Sequence, residues 1–275
     1  MKFVITGGPI QVSIPAGIVE MTQRHGSAHI VYTNTNHLTE IYLMDMTEVA
    51  KTLVSLHQNM IPVDKKIGVV VSGGLDSSVL WHMIYGTCLK RGQECIPFTV
   101  PKVDGALTYA TRMLEWSCEF WGTKRLHPWV INSDGVDWNR EIAYQGEEVQ
   151  QQLLDGMKEV ILKGYADIIF NGVNEYPPNY ENLCSYHTPG PRMLSRDSDY
   201  KHEGIPIGEI YRQPFADLTK DQIVLLAREL EVLNDISRFS HSCVELIRGR
   251  CGECFWCKER EWGYKQAKER DYGTA

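Results

Sequence analysis

The chain has 275 residues, of which 43% are hydrophobic, so it is long enough for one large domain with a sizeable buried core. Its 28 lysines and arginines face 35 acidic residues, which gives a net charge of −7. Proteins that bind duplex nucleic acid are usually basic, so this balance disfavours a direct nucleic-acid partner. Apolar stretches fall short of the ~20 residues of a membrane span, and the start lacks the apolar region of a signal peptide. We therefore expect a cytoplasmic protein without a membrane segment.

The first sixty residues predict an N-terminal β-rich extension plus a helix. Short β-like runs are separated by Gly, Pro and Asn, as in a small meander: "KFVIT", "IQVSI", "AHIVYT" and "EIYLMD". A helix is expected over 46–58, because Val49, Leu53 and Leu56 recur at helical spacing. The role of residues 1–60 stays open between docking on the rest of the chain, a dimer contact and a surface for another protein.

Residues 61–240 show strands alternating with helices. The predicted strands are "IGVVVS", "CIPFTV", "RLHPWVI" and "ADIIFNGV". The predicted helices are "SSVLWHMIYGTCLKRG", ending at Gly92, then "ALTYATRMLEWSCEFWG", "EEVQQQLLDGMKEVILKGY" and "DLTKDQIVLLARELEV", the last with Thr219 as N-cap. Such alternation predicts an α/β fold with a parallel sheet and helices on both faces. Residues 175–212 are expected to form a long functional loop or insertion.

The segment "SGGLDSS", residues 72–78, separates the first of these strands from its helix. Glycines let backbone N–H groups approach an anion, and the N-terminus of the following helix adds its positive dipole end. Three serines offer hydroxyl donors, whereas Asp76 beside a phosphate calls for Mg²⁺ or a donor-rich backbone. The segment is neither Gly-x-x-x-x-Gly-Lys-[Ser/Thr] nor Gly-x-Gly-x-x-Gly. The alternative is an ordinary Gly-rich turn with a helix-capping Asp76.

Four of the eight cysteines cluster near the C-terminus with the spacing Cys-x₇-Cys-x₂-Cys-x₂-Cys: Cys243, Cys251, Cys254 and Cys257. Four thiolates suit tetrahedral Zn²⁺, and Gly252 allows a tight turn between two of them. We predict a closed, structural zinc site within a C-terminal segment, residues 241–275. The alternatives are reduced, packed cysteines and a redox Cys-x-x-Cys motif.

These motifs resemble those of a known family. "SGGLDSS" is similar to the loop of the N-type ATP pyrophosphatase (PP-loop) superfamily, and together with "CGECFWC" it resembles the 7-cyano-7-deazaguanine synthase (QueC) family. "FNGVN" (Phe170–Asn174) and "QPFADLTKDQI" are further similar segments. The resemblance implies an adenine-nucleotide α-hydrolase-like sheet that binds ATP. In that family 7-carboxy-7-deazaguanine is adenylated and combined with ammonia, giving the amide and then the nitrile.

The resemblance also implies site residues. Candidate nucleotide-binding residues are Val71, Ser72, Gly73, Gly74, Leu75, Asp76, Ser77, Ser78, Gly172 and Asn174. Candidate catalytic residues are Asp76, Ser77 and Lys220, with Lys220 near the phosphates; the alternative for Lys220 is a solvated lysine in a first helical turn. The implied cofactors are ATP, Mg²⁺ and Zn²⁺, and a homodimer is the default assembly.

The substrate half departs from the family pattern. The chain has "FTVPKVDGA" where the family has an aromatic-Gly-Gln-Arg-His stretch, and "EYPPNYENLCSYHTPGPRM" where it has a Tyr-Pro-Asp-Cys run. Two alternatives follow: a related enzyme that passes the activated carboxylate to another amine, on a protein or nucleic acid, and a non-catalytic ATP-binding module. A tRNA-thiolating enzyme is disfavoured by the acidic balance and by the lack of a catalytic cysteine pair.

Overall fold

The computed structural model describes residues 3–5, 10–14, 17–24, 27–34, 37–44, 60–101, 104–131, 156–184, 201–202 and 205–273. The predicted helix over 46–58 and the first part of the predicted helix over 147–165 lie outside these residues. Within the described ranges, no helix has the length and apolar character that crossing a membrane requires.

An antiparallel sheet forms from the N-terminal segments. Its strands are β1 (Phe3–Ile5), β2 (Ile10–Ile14), β3 (Gly17–Arg24), β4 (Ser27–Asn34) and β5 (His37–Met44). Each strand pairs with the next in the chain, which is the meander that the spacing of the β-like runs predicts. The sequence prediction lacked β3, whose "GIVEMTQR" mixes polar and apolar residues, as strands of antiparallel sheets commonly do.

A five-stranded parallel sheet forms the centre of the α/β part. Its strands are β6 (Ile67–Val70), β7 (Cys95–Thr99), β8 (Trp129–Val130), β9 (Ile168–Phe170) and a last strand, Tyr211–Arg212. Two short strands, β10 (Lys201–His202) and β11 (Ile205–Pro206), pair with each other outside this sheet. The last strand of the parallel sheet, Tyr211–Arg212, is therefore numbered β12. The order is β12-β9-β6-β7-β8 with every pairing parallel, which confirms the predicted α/β class.

Both faces of this sheet are covered. Ile67, Val69 and Val71 belong to one hydrophobic cluster, whereas Val70 belongs to a second. Side chains of a strand alternate between faces, so the two clusters are the two sides of the sheet. A near-continuous apolar run such as "IGVVV" is what a strand buried on both faces requires.

Helices of the α/β part are α1 (Leu75–Arg91), α2 (Ala106–Trp121), α3 (residues 156–162), α4 (Ile207–Ile210), α5 (Lys220–Glu229), α6 (Leu233–Phe239) and α7 (Phe255–Ala267). Helix α1 ends at Gly92, as predicted, in the left-handed conformation (φ 63°). Thr219 is the N-cap of α5, also as predicted, and its N–H donates to Oε1 of Gln222 at 3.0 Å.

The stretch 175–212 is more regular than the sequence predicts. It contains a 3₁₀ turn at Tyr180–Asn182, β10, β11, α4 and β12. The prediction of an irregular stretch is therefore wrong at residues 201–202 and 205–212, while residues 185–200 lie outside the described ranges. Strands of two residues have no period for a sequence pattern to reveal, and β12 is held by its pairing with β9 instead.

Candidate functional site

The loop of residues 72–78 lies where the winding of the sheet reverses. Strand β6 is central, and the chain passes from it to β7 and β8 on one side and to β9 and β12 on the other. In open parallel sheets, ligands bind outside the carboxyl ends of the strands at this switch point. The residues that follow β6 and those that follow β9 therefore border the same crevice.

Gly172 brings the end of β9 against the start of α1. A Cβ atom at this position would lie 3.0 Å from the backbone nitrogen of Ser77 and 3.1 Å from the carbonyl carbon of Asp76. Any larger residue would push the two segments apart. The predicted nucleotide-binding position 172 thus lies directly beside the loop.

Gly73 is required by its backbone and by its neighbours. Its φ is +76°, and a Cβ atom there would lie 2.4 Å from Cβ of Tyr109 and 2.6 Å from the nitrogen of Ala110. Helix α2 therefore packs directly against the loop backbone. Gly74 follows in an extended conformation as the N-cap of α1.

Three serines tie the loop to the first turn of α1. The hydroxyls of Ser72 and Ser77 are 3.0 Å apart, and the N–H of Ser72 donates to Oγ of Ser77 at 3.2 Å. Oγ of Ser78 donates to the carbonyl of Gly74 at 2.7 Å. The N–H of Ser78 donates to the same carbonyl, and this is the first backbone hydrogen bond of the helix. The N–H groups of the residues just before Ser78 therefore have no acceptor within the helix. Such N–H groups at a helix N-terminus form an anion-binding site.

Lys220 reaches this loop from the first position of α5. Its Nζ lies 2.5 Å from Oδ2 of Asp76 and 3.4 Å from Oε2 of Glu259, and the residue is 3% exposed. A buried ammonium is costly unless it is paired, and two carboxylates supply that pairing. The alternative of a solvated lysine is therefore wrong.

Two contacts fix the position of the Lys220 side chain. The capped start of α5 sets its backbone. Gly263 of α7 packs on its stem, because a Cβ atom at 263 would lie 2.5 Å from Cγ of Lys220. Burial of the stem and pairing of the head therefore depend on α7 as well as on α5.

Asn174, which follows β9, completes the cluster. Its Nδ2 donates to Oε1 of Glu259 at 3.3 Å and to the carbonyl of Glu175 at 2.9 Å. Asn174 is 3% exposed and Glu259 is 1% exposed. The sequence analysis missed Glu259, because a glutamate among Lys and Arg in a C-terminal helix looks like a surface residue. Its position two residues after the last clustered cysteine was the available signal.

One carboxylate oxygen of this cluster suits a cation. Asp76 and Glu259 face the ammonium of Lys220, and the guanidinium of Arg260 also interacts electrostatically with Asp76. Oδ1 of Asp76 is buried and has no hydrogen-bond partner among the described residues. Mg²⁺ prefers carboxylate and phosphate oxygens, so this oxygen fits a magnesium ion shared with a polyphosphate.

The four clustered cysteines meet as predicted. The Sγ atoms of Cys243, Cys251, Cys254 and Cys257 all lie within 4.8 Å of one another. A tetrahedral ion with Zn–S bonds of about 2.3 Å places its sulfurs roughly 3.8 Å apart, so one ion fits this set with a small contraction. A cluster of several irons and sulfides would hold the four thiolates further apart.

Backbone groups around the cysteines favour thiolates. The N–H of Cys254 donates to Sγ of Cys251 at 3.2 Å, and the N–H of Cys251 faces Sγ of Cys243 at 3.5 Å. The hydrogen bond between Cys254 and Cys257 lowers the pKa of Cys254 and raises that of Cys257, and burial raises the pKa of Cys243, so Cys254 is the first of these thiols to lose its proton. Cys254 is also the N-cap of α7, so the cysteine cluster and this helix begin together.

The cysteine segment is hydrogen-bonded to the glycine-rich loop of residues 72–78. The N–H of His241 donates to the carbonyl of Gly73 at 2.8 Å. The His241 ring stacks on Tyr109, with centroids 4.2 Å apart and planes 6° apart, and Oη of Tyr109 donates to the carbonyl of Ile247 at 2.5 Å. Burial lowers the pKa of His241, which favours its neutral ring. Sequence reasoning left all histidines unassigned and missed this contact.

Arg260 anchors the other side of the segment. It is fully buried and donates to the carbonyl of Ser237 at 2.8 Å, to Oγ of Ser240 at 2.9 Å and to both carboxylate oxygens of Asp271 at 2.9 Å. Burial alone would raise the pKa of Asp271, but hydrogen bonds from Arg250 and Arg260 bring it to about 2. The residues on either side of the cysteines are thus fixed by buried ion pairing.

Residues after β9 lie against the cysteine segment. Tyr176 stacks on Tyr180 at 4.4 Å, and its ring meets Phe255 edge-on at 5.4 Å. Sγ of Cys184 donates to the carbonyl of Glu253 at 3.3 Å. The "EYPPNYENLC" stretch, which the sequence analysis placed in the substrate half, therefore lies beside the cysteine segment.

The structure brings most of the predicted site residues together. The loop, Gly172, Asn174 and Lys220 meet at one edge of the sheet, and the cysteine cluster is joined to that edge through His241 and Glu259. Val71 and Leu75 are 0% and 1% exposed, so their side chains are part of the core. Only the main-chain groups of these two residues can face a ligand.

Comparison with a family model supports the same class of protein. The model described as "Queuosine biosynthesis protein QueC" matches residues 202–268. This range contains Lys220, Glu259 and the four cysteines. The resemblance to QueC that the motifs indicate is confirmed over residues 202–268.

Three solved structures are distantly similar. The U34-tRNA thiolase NcsA from Methanococcus maripaludis with its [4Fe-4S] cluster is 14% identical, with 80% of this chain and 74% of that chain covered and a TM-score of 0.47. NMN synthetase from Francisella tularensis is 15% identical, covering 81% and 86%, with a TM-score of 0.38. The NH₃-dependent NAD synthetase from Campylobacter jejuni is 16% identical, covering 70% and 76%, with a TM-score of 0.38. At these scores, what those proteins bind is not transferred to this chain.

Proposed function

We propose that this protein is an ATP-dependent adenylating ligase that converts 7-carboxy-7-deazaguanine and ammonia to 7-cyano-7-deazaguanine, releasing AMP and pyrophosphate. The observation that carries the proposal is the buried contact of Lys220 with Asp76 at the N-terminus of α1. It joins a glycine-rich loop at the switch point of the sheet to the segment that the QueC model matches. An anion-binding loop next to a fixed cation suits a reaction in which pyrophosphate leaves.

In this proposal the loop binds the phosphates of ATP. The main-chain N–H groups of residues 73–77 and the hydroxyls of Ser72 and Ser77 donate to phosphate oxygens, which the helix dipole also favours. Bound Mg²⁺ neutralises charge on the polyphosphate, and the buried Oδ1 of Asp76 is the atom that would hold it. Asn174 and Gly172 form the opposite wall, at the end of β9.

The chemistry proceeds through two activations. A carboxylate oxygen of the deazaguanine attacks the α-phosphorus, the bond between the α-phosphorus and its bridging oxygen breaks, and pyrophosphate leaves. Ammonia then attacks the acyl carbon, and AMP leaves as the amide forms and a proton is lost. The amide oxygen attacks the α-phosphorus of a second ATP and displaces pyrophosphate, and loss of AMP and of both amide N–H protons yields the nitrile. Two ATP molecules are consumed for each nitrile.

Lys220 acts on the departing pyrophosphate. Negative charge accumulates on the bridging oxygen as the bond breaks, and a buried ammonium that is already in place stabilises that charge without reorganisation. Burial of Lys220 keeps water away from its head group, so the interaction is stronger than at a solvated surface. We propose Ser77 as a second donor, since its hydroxyl lies at the loop between Ser72 and the first turn of α1.

The cysteine cluster is proposed to hold one structural Zn²⁺. Four sulfur donors fill a tetrahedral shell and leave no open position for a substrate. Its role is then to fold residues 243–257 and to start α7 at Cys254, which places Glu259 and Gly263 against Lys220. Metal analysis of the purified protein should give one zinc per chain; iron with sulfide would refute this assignment.

A second acceptor is favoured by one observation. The residues after β9 depart from the family's Tyr-Pro-Asp-Cys run, and part of this stretch lies against the cysteine segment. The second candidate is therefore an enzyme that activates a deazapurine carboxylate and transfers it to an amine other than ammonia. For the first candidate we propose small-molecule partners only, and for both candidates a cytoplasmic location and a homodimer.

The test is a reaction with purified, metal-loaded protein, Mg-ATP, ammonium and 7-carboxy-7-deazaguanine, followed by mass spectrometry of the base and by AMP and pyrophosphate assays. Nitrile, or amide, with stoichiometric AMP supports the proposal. AMP that forms with the carboxylate but without either product indicates the second candidate. No pyrophosphate above background, in protein that binds Mg-ATP, refutes both.

Matched variants identify the active residues in this reaction. Asp76→Asn keeps the size of the side chain and removes the charge that would hold Mg²⁺, so turnover should fall at least 100-fold, as expected for loss of a key electrostatic contact. Asp64→Asn makes the same change at an exposed position and should leave turnover unchanged. Equal effects of the two substitutions would contradict the assignment.

A further inference from the structure

Glu259 is a buried carboxylate that the proposed chemistry does not use directly. It lies on α7, two residues after Cys257, and it is 1% exposed. Its Oε2 is 3.4 Å from Nζ of Lys220, and its Oε1 accepts from Nδ2 of Asn174 at 3.3 Å. It therefore connects the cysteine-bearing helix with both walls of the crevice.

Lys220 has two carboxylate neighbours, and one of them, Asp76, is also the proposed ligand of Mg²⁺. Its shorter contact, 2.5 Å, is with Asp76, the residue whose other oxygen fits Mg²⁺. A divalent cation withdraws charge from the carboxylate that it binds and weakens the hold of that carboxylate on a nearby ammonium. The ammonium then needs another anionic partner at the moment when the nucleotide arrives.

We propose that Glu259 is a positioning residue, the second anchor of Lys220, which holds the ammonium at the phosphate edge when Mg-ATP engages Asp76. The inference rests on the proposed function only in taking Mg-ATP as the ligand. Glu259 touches neither the nucleotide nor the acceptor and acts through Lys220.

The local structure suits such an anchor. Helix α7 begins at the cysteine cluster, so a metal held by the four cysteines would fix the turn from which Glu259 projects. Asn174 holds one oxygen and leaves the other directed at Lys220. Gly263, one turn further along α7, allows the Lys220 stem to pack between the two helices. Contacts within the protein thus place Glu259 beside Lys220 without a ligand.

A double-mutant cycle tests the two-anchor arrangement without any acceptor. Asp76→Asn and Glu259→Gln are made singly and together, and thermal midpoints are measured on metal-loaded protein. Each single variant leaves the buried ammonium one carboxylate, whereas the double variant leaves it none. The double variant should therefore lose about 5 °C or more of thermal midpoint beyond what the two single variants lose together. Additive losses overturn the proposal.

Folding failure of the double variant is itself informative. Adding Lys220→Met removes the buried charge, so the triple variant should fold and recover most of the lost midpoint. A triple variant that stays unfolded, or that gains nothing over the double variant, shows that the two carboxylates do not act through Lys220. This outcome also overturns the proposal.

Turnover supplies the second readout. Glu259→Gln should lower kcat for pyrophosphate release roughly 10- to 100-fold, the effect of losing a buried ion pair, while KM for Mg-ATP changes less than about threefold. Glu261→Gln is the matched control on the same helix, because Glu261 is exposed and pairs with Lys258. It should leave both constants unchanged.

A positioning role for Glu259 requires that the metal site of the Glu259→Gln variant stays intact. Cobalt-substituted Glu259→Gln protein should keep the visible absorption spectrum of the cobalt-substituted wild type, since no metal ligand changes. A lost spectrum together with lost turnover would make Glu259 a structural part of the cysteine site and would overturn the proposal. If the double-mutant cycle shows coupling but the wild-type protein forms no product from 7-carboxy-7-deazaguanine, the proposed function is refuted and the role of Glu259 is not.

Discussion

His82 should make the stability of this protein depend on pH in a narrow range. It lies on α1, is 3% exposed, and contacts the rings of Phe120 at 4.8 Å and Trp121 at 5.0 Å. Burial lowers the pKa of His82 from 6.5 to about 4, and the charge of Lys90 adds to the decrease. Its Nδ1 has no hydrogen-bond partner among the described residues, which leaves desolvation uncompensated.

The sign and size follow from proton linkage. The unfolded chain takes up a proton near pH 6.5, whereas the folded chain does so only near pH 4. The neutral ring therefore stabilises the fold fully above pH 6.5, and this contribution is lost as the pH falls towards 4. The loss is about 2 kcal/mol at pH 5 and about 3 kcal/mol once both states are protonated.

Urea denaturation of wild type and His82→Gln at pH 7.5 and pH 5.0 measures this contribution. Other groups, including the cysteine cluster, affect both proteins alike, so the difference between their pH dependences isolates His82. The wild type should lose about 2 kcal/mol more than the variant. His127→Gln replaces an exposed histidine and should behave like the wild type. A His82→Gln protein with an unchanged pH dependence would refute the burial argument.

Three further substitutions test the site. Gly73→Ala should abolish Mg-ATP binding in calorimetry, because the added Cβ would lie 2.4 Å from Tyr109 and the residue must hold φ +76°. Gly263→Ala should displace the stem of Lys220 and lower kcat roughly tenfold in the pyrophosphate assay, with the protein still folded. Cys251→Ser should release the metal, measured as zinc per chain, and lower the thermal midpoint, since one of four ligands is lost.

Two control variants separate these effects from general destabilisation. Gly92→Ala also replaces a glycine with positive φ (63°), but a Cβ atom there meets nothing within 4 Å, so ATP binding should persist. Cys118→Ser changes a buried cysteine outside the cluster and should retain the metal. ATP binding lost in Gly92→Ala, or zinc lost in Cys118→Ser, would contradict the respective site assignment.

The elements with a strong period were predictable from the sequence. Helices α1, α2 and α5 have caps or glycine ends that the pattern shows, and β6 is a continuous apolar run between charged residues and glycines. The cysteine spacing and the glycine-rich loop are local motifs, so both halves of the site could be found without tertiary information.

What the sequence could not show are the contacts between distant segments. The Lys220 pair spans 144 positions, and the Asn174–Glu259 bond spans 85. Glu259 and Arg260 are charged residues in a helix rich in Lys and Glu, and local pattern assigns such residues to solvent. Glu259 is buried against Lys220 of α5, and Arg260 is buried against Ser237 of α6, Ser240 and Asp271; no periodicity reports these contacts.

Two contacts around the glycine-rich loop can form only late in synthesis. They are the hydrogen bond from His241 to Gly73 and the ion pair of Glu259 with Lys220. During synthesis the glycine-rich loop leaves the ribosome early, but its partners follow more than a hundred residues later. A nascent chain that ends before residue 241 lacks both contacts, however well its sheet has formed. Under the proposed function, such a chain should bind Mg-ATP more weakly than the full chain.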